Sequence, residues 1–83
     1  MRSMNILLNS MKKVNQFQKL AENFDGKLIL ATKNFRVNAK SVLGIYSLDL
    51  SHELELQAEG DETYERLYET FKRFCQSSKR DVG

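Results

Sequence analysis

Apolar residues recur along this chain at two alternating periods, and the changes of period mark its elements. Met4-Asn5-Ile6-Leu7-Leu8 is short and apolar with Ile6 and Leu8 on one face, which predicts a first strand. Asn9 and Ser10 are both favourable helix N-caps. Val14, Phe17, Leu20, Ala21 and Phe24 then recur at helical spacing between polar residues, predicting one amphipathic helix over 11–24 that Asp25-Gly26 closes. Lys27–Thr32 reads as the next strand, and Phe35-Arg36-Val37 as its hairpin partner across the polar break Lys33-Asn34. Ser41 is placed to cap a short apolar helix over 42–48. Glu53 to Glu59 alternates strictly, with Leu54, Leu56 and Ala58 inward and carboxylates or Gln57 outward, the pattern of a half-buried strand. Gly60-Asp61 turns the chain into a last helix, beginning near Glu62, whose expected core residues are Tyr64, Leu67, Tyr68, Phe71 and Phe74 with Cys75 beside them.

The resulting order, βαββαβα, predicts an α+β open-faced two-layer sandwich: a four-stranded antiparallel sheet with three helices on one face and water on the other. With 83 residues, one domain over 1–76 and a flexible tail over 77–83 are expected. The longest apolar runs have four residues, far short of a membrane span, and no signal-peptide pattern opens the chain, so a cytoplasmic protein without membrane contact is expected.

Charge adds one feature. The formal net charge is only +2, but residues 1–40 carry eight basic and two acidic groups, whereas 41–71 carry one basic and eight acidic. Such a dipolar chain can steer a charged partner. No aromatics interleave with the basic residues as a stacking platform would need, so nucleic acid is not an expected partner.

The chemistry available is sparse. The single histidine, His52, precedes a run of exposed glutamates with no nucleophile fixed beside it, and reads as a surface residue. The single cysteine, Cys75, lies on the apolar face of the last helix and reads as an inert thiol. One Cys and one His do not make a structural zinc site, and the four glycines are isolated rather than grouped in a phosphate loop. Neither an enzyme nor a metal or other cofactor is expected.

Residues 36–50, Arg-Val-Asn-Ala-Lys-Ser-Val-Leu-Gly-Ile-Tyr-Ser-Leu-Asp-Leu, resemble the most recognisable stretch of HPr, the histidine-containing phosphocarrier of the bacterial sugar phosphotransferase system. In that family an Ala-Lys-Ser or Leu-Lys-Ser step opens the short second helix. Glu53 to Gly60 resembles the family's last strand, and Gln16-Phe17, Ala21 and Phe24 fit its first helix. The resemblance covers about residues 4–72 and implies the same βαββαβα sandwich.

The carrier loop departs from the family. HPr holds phosphate on a histidine in a Gly-(hydrophobic)-His-(Ala/Thr)-Arg-Pro-Ala loop, where this chain has Leu8-Asn9-Ser10-Met11-Lys12-Lys13-Val14. Counting back from the matched helix puts Ser10 at the histidine, Lys12 at the arginine and Lys13 at the proline, while the strand predicted over Met4–Leu8 leaves a shortened loop. A lone serine hydroxyl is a poor nucleophile, so phosphocarrier activity is not expected. Ser41 matches the serine that a dedicated kinase phosphorylates in HPr of many Gram-positive bacteria and in a histidine-lacking paralogue, for recognition by a catabolite-control transcription factor. The resemblance therefore implies a regulatory or adaptor protein, with Ser41 as the modification site and Lys40, Val42, Leu43 and Tyr46 as the partner-binding surface. A serine kinase or a transcription regulator of HPr type would be its partner. The alternative is a degenerate homologue, monomeric or weakly dimeric, that self-associates or binds a ligand with no role in sugar transport.

Overall fold

The computed structural model describes residues 2–60 and 64–75. Period-2 burial builds the sheet. β1 (Arg2–Ile6), β2 (Lys27–Ala31), β3 (Arg36–Asn38) and β4 (Leu54–Glu59) lie in the order β1-β4-β2-β3, every pair antiparallel. Register places Met4, Leu56, Leu30 and Val37 in one row and Ile6 beside Leu54 in the next. These rows face α1 (Met11–Glu22), α2 (Val42–Tyr46) and α3 (Tyr64–Phe71), the last continued by a 3-10 turn over Lys72–Phe74. The predicted α+β sandwich, with three helices against one face of a four-stranded antiparallel sheet, is the fold.

The core between the layers is aromatic at its centre. Phe17 of α1 contacts Phe71 at 5.2 Å and Phe74 edge-on at 5.7 Å between ring centroids, and Phe24 meets Phe71 at 5.7 Å. Such pairs stabilise by about 0.5–1.5 kcal/mol beyond the area they bury. Among the described residues no buried side-chain nitrogen or oxygen lacks a hydrogen-bond partner.

The other face of the sheet is polar. Asn5, Glu55 and Arg36 point outward, and Arg36 Nη2 donates to Gln57 Oε1 at 2.9 Å across β2. That bond spans the strand holding Ala31, which is buried on the outward side.

Four expectations need correction. The first strand is Arg2–Ile6 rather than Met4–Leu8, because β4 begins at Leu54, opposite Ile6, and offers no partner beyond it. Leu7 instead donates its N–H to the carbonyl of Phe74 at 2.8 Å, and Leu8 is buried off the sheet. Tyr64 and Tyr68 are not core residues: they are 45% and 37% exposed and stack on each other at 6.0 Å with planes 22° apart. Leu67, Phe71 and Phe74 already cover the sheet, leaving the tyrosines on the flank of α3. The first helix ends at Glu22 and the second at Tyr46, each two residues early, because Phe24 and Leu48 reach the core from the turns that follow. Finally, β3 begins at Arg36 and leaves Phe35 exposed, since Phe35 closes the hairpin turn through its N–H on Thr32 Oγ1 and its carbonyl on Thr32 N–H. The expected helix start near Glu62 and the expected tail over 77–83 lie outside the described residues.

Candidate functional site

Four residues, Leu7 to Ser10, join β1 to α1. Ser10 is extended and its hydroxyl accepts from Lys13 N–H at 3.2 Å, which caps α1. Lys13 Nζ donates to Asn9 Oδ1, also at 3.2 Å. Ser10 is thus a helix N-cap bearing a hydroxyl, and residues 7–13 contain no histidine.

Ser41 caps α2 in the same way, accepting the Gly44 N–H at 3.1 Å with its own backbone extended. Gly44 lets α2 approach β3: a Cβ there would stand 3.3 Å from Val37 Cβ. Only Ile45 of this short helix is buried, which turns the others outward: Val42 is 39%, Leu43 84% and Tyr46 45% exposed. Three clustered apolar side chains in water are unusual for so small a domain. Lys40 behaves differently from its neighbours. Its ammonium donates to the Phe24 carbonyl at 2.8 Å in a partly buried position, tying the start of α2 to the turn that ends α1.

An open cavity of about 390 Å³ lies between the start of α1 and the α2–β4 connection. Leu8, Val14, Tyr46 and Leu50 make its apolar walls, with Ser10 and Ser51 at its rim. Met11, 66% exposed, also lines it and carries the apolar lining out to the surface. The structure therefore joins Ser10 and Tyr46, residues 36 positions apart, around one groove. Leu8, Met11 and Leu50 are groove residues that the sequence pattern does not single out, because Leu8 reads as strand and Leu50 as linker. An apolar residue at the exposed first position of α1 is the one signal that Met11 carries.

His52 stands outside the groove, its Nε2 3.6 Å from Asp49 Oδ2 with both side chains exposed. Ser51 holds Asp49 through its N–H and hydroxyl, and these bonds place the Asp49 carboxyl below the ordinary range. Burial raises the Cys75 thiol, with Glu53 adding to the shift, so the thiolate form is disfavoured. No cluster of three or more His, Cys, Asp or Glu that could hold a metal occurs among the described residues.

The family model for the PTS HPr component phosphorylation site matches residues 11–77. The chain belongs to the HPr family. The crystal structure of HPr-C-His from Thermoanaerobacter tengcongensis superimposes with a TM-score of 0.76 at 27% sequence identity, covering 93% of each chain. None of the curated proteins compared matches this chain. Membership makes this a phosphotransferase-system-related, HPr-like protein. The family match begins at Met11, immediately after the loop in which this HPr-family chain carries Ser10. No helix among the described residues is long and apolar enough to cross a membrane.

The two caps give a direct prediction. Ser10→Ala and Ser41→Ala should each destabilise the HPr fold by about 0.5–2 kcal/mol, and Ser41→Asp by less than Ser41→Ala. Denaturant melts measure this. A neutral Ser10→Ala would mean that α1 does not depend on its cap.

Proposed function

We propose that this HPr-family protein is a non-enzymatic regulatory or adaptor protein of the cytoplasm that carries no phosphoryl group on its first loop and binds protein partners through α2. The observation that carries this reading is the outward display of Val42, Leu43 and Tyr46 on a helix capped by Ser41. Three neighbouring apolar side chains exposed on one short helix support a docking role, which requires such exposure.

Ser41 is the proposed point of control. Phosphorylation by a serine kinase of HPr type would add about −1.5 to −2 charge beside the exposed apolar side chains. That charge would alter which partner surface fits, the transcription regulator of HPr type being the proposed reader. Lys40 contributes by holding α2 in place through the Phe24 carbonyl. The alternative of self-association through the bare face of the sheet finds less support, because Asn5, Glu55, Arg36 and Gln57 would lose hydration there.

Two assays test the reading. Phosphoenolpyruvate and the first enzyme of the phosphotransferase system should leave the protein unlabelled, since a phosphohistidine needs an imidazole and residues 7–13 have none. Stoichiometric acid-labile label would overturn the non-carrier assignment. The serine kinase with ATP should add one acid-stable phosphate to the wild type and none to Ser41→Ala. Equal labelling of both would remove Ser41 from the proposal.

A further inference from the structure

β1 is an edge strand that lacks most of the features by which such an edge is kept from pairing. It ends the sheet on one side, in the order β1-β4-β2-β3, so among the described residues no strand lies against the outer backbone groups of Arg2–Ile6. Short length, bulges, prolines and charges are the devices that blunt an edge. The opposite edge strand, β3, has only three residues. β1 has five, about 17 Å of strand, its register with β4 runs residue for residue without a bulge, and the chain contains no proline. The open stretch stops where Leu7 donates its N–H to the Phe74 carbonyl at 2.8 Å.

One flank of α3 lies over that edge. α3 packs on β1, and its Arg66 turns toward the end of α1, with Cζ 5.5 Å from the Phe24 ring centroid and Nη2 3.9 Å from Asp25 Oδ2. Residues 64 and 68 stand about 160–200° around the helix from residue 66. Tyr64 and Tyr68 therefore face away from α1, on the side where the sheet ends. Their rings stack and remain partly exposed. Arg2 adds a charge at the start of the edge, exposed and in register with Ala58 rather than with a carboxylate. No acidic residue occurs in β1. A second copy paired edge to edge would thus bring another Arg2 and no acid from its own β1, whereas a partner with a carboxylate at that point complements the charge.

We propose that the outer edge of β1 and the Tyr64–Tyr68 pair form a second contact surface, separate from α2, that takes an extended segment of a protein partner as a fifth strand antiparallel to β1. Only an extended backbone pairs a row of alternating N–H and C=O groups, and pockets or shelves for alternate side chains then supply specificity. The residues opposite Ile6, Met4 and Arg2 fall at alternate positions of the added strand and face the helices. An apolar residue, an aromatic one and an acidic one suit those three places in turn. The aromatic ring meets the tyrosines, and the carboxylate meets Arg2 in a pairing that salt weakens.

The test is a titration of the isotope-labelled full chain with the blocked peptide Ser-Val-Thr-Phe-Thr-Glu-Ser, followed by backbone NMR at low salt. The amide signals of Ser3, Asn5, Tyr64 and Tyr68 should shift while those of Val42 and Leu43 stay in place. Proline in place of both threonines removes backbone donors and should abolish the shifts. Alanine in place of the phenylalanine should weaken binding about tenfold, and Tyr64→Ala combined with Tyr68→Ala should weaken the parent peptide to the same level. Both tyrosines are exposed, so the other signals of the fold should persist in that variant. Arg2→Glu should reverse the preference between the parent peptide and the one with lysine in place of glutamate. Undiminished binding of the proline peptide would overturn the strand pairing, and indifference to the tyrosines would overturn the aromatic contact. Equal affinity of the wild type for the glutamate and lysine peptides would overturn the charge assignment. Shifts of Ser3 and Asn5 that grow with protein concentration alone would mean that a second copy covers the edge, which overturns the partner assignment. Shifts confined to Val42 and Leu43, or no shift at all, would overturn the proposal as a whole.

Discussion

Phe71→Ala is expected to destabilise this protein by about 3–5 kcal/mol, the usual cost of deleting a fully buried Phe. The ring is the hub of the aromatic core, meeting Phe17 and Phe24, and removing it takes away both contacts together with the surface it buries between α1 and α3. Folded domains are stable by only about 5–15 kcal/mol, so the variant should unfold at much lower denaturant and populate the unfolded state near body temperature. Tyr68→Ala, one turn away on the same helix, is the matched control. Its ring stacks on Tyr64 in a part-exposed position, so truncation should cost about 1 kcal/mol or less. Equal losses for the two variants would contradict the division of α3 into a buried face and an exposed flank.

The contrast between Phe71 and Tyr68 also shows what the chain's pattern encodes. Spacing places Tyr64, Leu67, Tyr68 and Phe71 within one broad arc of a helix, and all four are apolar enough to be buried. How much of the arc is buried depends on the width of the sheet beneath it, which is a tertiary quantity. β4 leaves no such freedom: alternation with period 2 assigns Leu54, Leu56 and Ala58 to the core whatever lies above them, and all three are buried. The two caps were equally legible, because an N-cap serine satisfies backbone donors of its own helix and needs no distant partner. β1 was less so, since Ile6-Leu7-Leu8 is an unbroken apolar run and only the pairing of Ile6 with Leu54 fixes where the strand stops. The groove was not legible. Its walls come from residues 8–14 and 46–51, separate in the sequence and brought together only when α1 and α2 pack on the sheet. The family, by contrast, was readable from the Ala-Lys-Ser step at 39–41 and the alternation of β4, two features that lie within short stretches of the chain.

Leu43→Glu is expected to abolish most partner binding while leaving the fold intact, and the separation of those two effects is the strongest test of the α2 surface. Leu43 is the most exposed of the apolar residues on α2, at 84%, so a charge there meets water and should change stability by no more than about 0.5 kcal/mol. At the centre of a docking surface the same carboxylate would have to be desolvated with no partner cation evolved to meet it. The expected loss is about 2–4 kcal/mol of binding, or roughly thirtyfold to a thousandfold. Ile45 sets the opposite limit. It is the buried residue of the same helix, and Ile45→Glu should unfold the domain rather than report on binding. Calorimetric titration of the serine kinase or the HPr-type transcription regulator against wild type and Leu43→Glu, with melts of both proteins, reads the two quantities together. A variant that melts like the wild type and also binds like it would remove α2 as the contact surface. A Val42, Leu43 and Tyr46 patch displayed in water would then have neither a packing nor a docking role, and its exposure would be left without a physical reason.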